Sequence, residues 1–131
     1  MRHTLFLVLM LSFYCHSESL NPLIGHWKTD HERTLASTKK NTKAYQCFQQ
    51  KLCGTTDLIF SENELISISY SQDGEEIMRY SEPYKITSFK GNEITIYYPK
   101  KDKNFSYQIK SNVFYYSSEE HGFTEYFLLK K

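Results

Sequence analysis

An excess of charge of either sign is what this chain most clearly lacks: sixteen Lys and Arg stand against fifteen Asp and Glu, a formal net charge of +1. Its basic residues form short, separated clusters at Lys39-Lys40, at Lys100-Lys101 with Lys103, and at Lys130-Lys131. A balanced, interspersed pattern argues against a nucleic-acid binder, and the clusters read as solvated loops and an end. Glycine is also scarce, and none of the five forms a phosphate-cradling loop. G-x-S-x-G and H-E-x-x-H are missing and no nucleophile–base pair stands out, so no enzyme is expected. Beyond residue 19 there is no apolar run long enough to span a bilayer, nor any internal repeat or low-complexity tract.

What is present begins at the N-terminus. Arg2 and His3 precede an uncharged apolar run from Thr4 to Tyr14, and small polar residues follow. The run is shorter than the about 20 residues of a membrane helix and has the length of a secretory h-region. Residues 1–17 are therefore expected to be a signal peptide, with the mature protein periplasmic or secreted. Cys15-His16-Ser17 suits cleavage after Ser17, and Ser17-Glu18-Ser19 allows it after Ser19. Lipidation at Cys15 is the alternative, against which Phe13 and Tyr14 count, because lipoprotein signals place small residues there. Cleavage after Ser17 leaves 114 residues, enough for one domain, and no stable transmembrane segment.

The same cleavage leaves Cys47 and Cys53 as a pair, which in an exported chain predicts a disulfide. Residues six apart in an α-helix lie about 9 Å apart along its axis. A disulfide needs Cα atoms within roughly 7 Å. The helix must then end or distort between them, and Gly54 is a suitable terminator. Two cysteines with no nearby histidine leave a metal site short of ligands.

Leu23 to Lys28 reads as a first strand. Asp30 can cap a helix whose apolar face offers Leu35 and Ala36. A second helical piece starts near Lys43, with Ala44, Phe48 and Leu52 at i, i+4 and i+8. From Thr55 the rhythm changes to strand alternation. Leu58 and Phe60 share one side, as do Ile66, Ile68 and Tyr70, and further strands run to Leu129 between turns such as Gln72-Asp73-Gly74 and Lys90-Gly91-Asn92. The expected fold is mainly β, about eight short antiparallel strands with a helical insertion after the first, because no helical crossovers follow residue 54.

Gly25-His26-Trp27 has the G-x-W form found at the start of lipocalins. With Lys28-Thr29-Asp30, then Gly54, the strands from Thr55 to Tyr116 and the closing Glu125-Tyr126-Phe127, residues 23–129 resemble small exported bacterial lipocalin-like proteins. The resemblance implies a small single-domain β-barrel over residues 22–131, with Trp27 plugging its closed end. It carries no activity.

Eleven tyrosines and nine phenylalanines can fill half-buried strand positions, line a pocket or form a recognition face. Tyr97-Tyr98 and Tyr115-Tyr116 must each turn at least one ring outward. Glu125 alternates with Phe123 and Phe127 and can point inward, where it needs a basic or hydroxyl partner. His26, His31 and His121 read as surface residues, and Asn104-Phe105-Ser106 matches a glycosylation acceptor. The expected function is non-enzymatic binding without cofactor or metal. A small apolar or aromatic ligand would lie in the barrel against Trp27, Phe60, Ile68, Tyr107 and Phe127. The alternative is an envelope protein-binding module, an inhibitor or immunity protein of a hydrolase or toxin.

Overall fold

The computed structural model describes residues 21–131; the expected signal peptide lies outside the described residues. Nine strands form one antiparallel sheet: β1 (Gly25–Thr29), β2 (Thr56–Phe60), β3 (Glu64–Tyr70), β4 (Glu76–Pro83), β5 (Lys85–Lys90), β6 (Glu93–Tyr98), β7 (Lys103–Lys110), β8 (Val113–Ser118) and β9 (Phe123–Leu129). Their order is β4-β3-β2-β1-β9-β8-β7-β6-β5, which curls the sheet into a half-barrel open between β4 and β5. The mainly β, antiparallel fold is as expected, with nine strands for the about eight read from the sequence, and the chain passes from β4 into β5 at the Pro83-Tyr84 corner.

The seam between β4 and β5 is bridged by side chains from the β6–β7 turn. Lys101 Nζ lies 3.1 Å from Glu82 Oε2. Lys100 Nζ donates to the Ser81 carbonyl at 3.3 Å and sits 5.5 Å from the Tyr80 ring centroid. At the corner itself Tyr84 is buried, donates to the Ser61 carbonyl and accepts from Asn21 Nδ2 at 2.7 Å.

The core fills one end of the half-barrel. Trp27, Phe60 and Phe114 are almost fully buried there, with Phe114 5.7 Å from Trp27 and 6.1 Å from Phe60 between ring centroids. Each such ring stabilises the fold by about 1.5–3 kcal/mol through burial. Trp27 meets its buried polar requirement by donating Nε1–H to the Leu23 carbonyl at 2.8 Å.

Two short helices follow β1. α1 (His31–Ala36) is capped by Asp30, whose carboxylate accepts from Arg33 N, and α2 (Lys43–Gln49) by Thr42, whose hydroxyl accepts from Tyr45 N. Backbone bonds from Asp30 N to the Tyr126 carbonyl and from Lys39 N to the Gly122 carbonyl tie the helical segment to β9. The expected apolar faces are corrected in detail. Thr34, not Leu35 or Ala36, is the buried residue of α1, because its hydroxyl accepts from Tyr126 N. Leu52 lies beyond the end of α2 and is 63% exposed. Cys47 and Cys53 form a disulfide with Cα atoms 5.5 Å apart. The helix stops at Gln49, and Lys51 and Gly54 take positive φ of 57° and 72°, which brings the two cysteines within reach. No helix among the described residues is long and apolar enough to cross a membrane.

Candidate functional site

The concave face holds a cleft of about 440 Å³ between the β2–β3–β4 side and the β6–β9 side. Strand alternation supplies its lining. Opposed pairs in antiparallel strands share a face, so Leu58 and Ser67, Leu65 and Glu82, Tyr116 and Glu125, and Phe114 and Phe127 all point inward. Tyr107 and Phe105 enter from β7 and Tyr98 from β6. A second depression of about 570 Å³, lined by α2 and the disulfide, shares Thr56, Tyr116 and Glu125 with the first. The two run together as one trough with Glu125 at their junction.

Aromatic rings form the trough's continuous surface. Tyr107 lies 4.7 Å from Phe114, 5.9 Å from Tyr116 and 6.4 Å from Phe105, centroid to centroid. The paired tyrosines divide between faces: Tyr98 and Tyr116 turn inward, whereas Tyr97 donates to Asp102 on the surface and Tyr115 packs on Tyr126. Burial is the first cause that pushes the Tyr98, Tyr107 and Tyr116 phenols above their ordinary range, so they remain protonated donors.

Two carboxylates interrupt this wall. Glu125 is 8% exposed and accepts from the Tyr116 hydroxyl at 2.7 Å. Burial raises its pKa, with the Tyr116 hydrogen bond partly offsetting the rise. Glu82 is 2% exposed; its Oε2 meets Lys101, while its Oε1 has no hydrogen-bond partner among the described residues. Both carboxylates also raise the pKa of the Tyr107 phenol, after burial, which is the larger cause.

Of the five residues expected to line a ligand site, Tyr107 and Phe127 line this cleft. Trp27 and Phe60 do not, since they pack into the solid end of the core with Leu23 and Tyr84. Ile68 is buried but belongs to the outer face, because the register gives the inner positions of β3 to Leu65 and Ser67. A strand shows its two faces to the eye equally, and the bulkier Ile66–Ile68 side is not the one that the curl turns inward. Glu82 and Lys101 escape sequence reasoning because their pairing depends on how the β6–β7 turn crosses the open seam. Glu82 alternates with Tyr80 just before Pro83, which is the one local signal of an inward position.

On the outer face, Asp57 is 5% exposed and accepts from His26 Nε2 at 2.6 Å and Tyr70 OH at 3.3 Å, with Lys130 Nζ at 3.9 Å. These contacts tie β1, β2, β3 and the C-terminal end together. His121 is exposed in the β8–β9 turn. No group of three or more His, Cys, Asp and Glu able to hold a metal occurs among the described residues. No family model, curated protein or solved structure matches the chain.

Proposed function

We propose that this is an exported, lipocalin-like, non-enzymatic protein that binds a small ligand in the concave trough of its half-barrel. The trough itself carries the reading: a depression of about 440 Å³ is within the size range of small-molecule sites, and its lining joins an aromatic and aliphatic wall to several hydroxyls and two carboxylates that can orient a ligand. Residues at the binding surface are Tyr98, Phe105, Tyr107, Tyr116 and Phe127. The disulfide supports an oxidising compartment, as export would provide. A protein partner is the second reading, favoured by Ile77, Met78 and Tyr80, which are 67%, 60% and 40% exposed on edge strand β4.

Native mass spectrometry of the protein isolated from its own source tests the choice. A retained small molecule, lost on denaturation, is the expected result. A stoichiometric co-purifying protein in its place overturns the ligand reading. Intact mass of the same sample tests the leader: loss of residues 1–17 or 1–19 supports a soluble product, and added lipid on Cys15 a membrane anchor.

A further inference from the structure

The ligand's chemical class follows from the trough's polar groups, and rests on the reading that the trough binds a small molecule. We infer that the trough selects an organic cation, a protonated or quaternary amine carried on an apolar or aromatic body, through Glu82, Glu125 and the aromatic wall between them.

Four observations converge on this class. Two carboxylates line the trough, and each lies at a register position that strand alternation turns inward. Glu82 is buried with Oε1 unpartnered among the described residues, and such an oxygen costs stability unless something completes its bonding. The surfaces around the carboxylates are tyrosine and phenylalanine rings, whose faces attract a desolvated cation. An anion would find less: Lys101, beside Glu82, is half-exposed on the rim and already engaged, and Lys43 and His121, which line the depression beside α2, are exposed.

Lys101 also displays the recognition on offer. Its ammonium lies 3.1 Å from Glu82 Oε2 and 5.2 Å from the centroid of the Tyr98 ring, so one carboxylate and one aromatic face hold a cation at the rim. Where the two depressions share their lining, Glu125 and Tyr116 repeat that combination without an ammonium among their described contacts. Tyr107 lines the same cleft as both carboxylates, where a ligand body can stack against its ring.

The test uses the full chain and three probes with one body: 3-phenylpropylammonium, 3-phenylpropanol and 3-phenylpropionate, titrated by calorimetry at pH 7. The ammonium is expected to bind at least tenfold more tightly than the alcohol, and the carboxylate more weakly than either. Glu125→Gln and Glu82→Gln are each expected to lower ammonium affinity about tenfold while the alcohol's affinity is kept, which also shows that the variants remain folded. Equal binding of ammonium and alcohol overturns the cation inference and leaves the trough as a ligand site. Failure of all three probes to bind overturns both readings. Unchanged ammonium affinity in the Glu82→Gln/Glu125→Gln double variant also overturns the assignment to these carboxylates.

Discussion

The bridge across the open seam makes a quantitative prediction. Glu82 is 2% exposed, with Lys101 on one oxygen and no hydrogen-bond partner for the other among the described residues. Lys101→Met keeps most of the apolar stem but leaves a buried carboxylate with neither oxygen bonded. An unsatisfied buried polar group costs about 1–3 kcal/mol. The Lys101 side chain is 49% exposed, so water screens its end of the pair and the lower half of that range, about 1–2 kcal/mol, applies. For a domain near this size, each kcal/mol lowers Tm by roughly 4–8 °C, so a fall of about 5–15 °C is expected. Adding Glu82→Leu removes the orphaned charge and returns stability to within about 0.5 kcal/mol of the parent or above it, since an apolar side chain can replace a buried ion pair without loss. Urea unfolding followed by the fluorescence of Trp27, the chain's one tryptophan, measures all four corners of the double-mutant cycle. If the double variant is as unstable as Lys101→Met alone, the loss lies in packing of the lysine stem, and the charge argument fails. A more stable double variant would also mean that Glu82 is kept at a cost to the fold, as ligand-binding groups often are.

Two further perturbations probe the elements that frame the trough. Gly54→Ala places a Cβ at φ +72°, 2.5 Å from Cδ1 of the buried Phe48 ring. Strain and overpacking together should lower stability by about 2 kcal/mol or more, read from the urea midpoint; a change under about 0.5 kcal/mol would show that the ring yields freely. Glu125 has a pKa raised by burial, so the folded chain holds its proton more tightly than the unfolded chain does. Its contribution is therefore fully present below the unfolded pKa and is lost as pH rises through the folded one. Glu125→Gln does not titrate and keeps an acceptor for Tyr116, so its Tm should gain on the parent's between pH 4 and pH 7. A constant difference across that range would rule out burial as the cause.

Local rules in the sequence determined much of this fold. Asp30 and Gly54 mark the start and end of the helical segment because a side-chain acceptor caps free N–H groups and only glycine adopts positive φ without strain. Cys47 and Cys53, six residues apart, required the helix to end between them, and α2 stops at Gln49. Alternation required at least one tyrosine of each pair to face outward, as Tyr97 and Tyr115 do, and marked Glu125 as an inward candidate that needs a basic or hydroxyl partner, which Tyr116 supplies. These are effects of neighbours within a few residues, so the sequence displays them directly.

The tertiary structure decided which side of each strand became the interior and where the sheet stays open. Ile68 is an expected lining residue, but register with β2 turns Leu65 and Ser67 inward instead; Trp27 and Phe60, expected inside, lie in the packed end and not the trough. Glu82 and Lys101 are 19 positions apart, and they meet because the curl brings the β6–β7 turn over the end of β4. Curl and register are sums of twist and pairing over nine strands, and no single window of sequence holds them. The trough and the meeting of Glu82 with Lys101 emerge at that level.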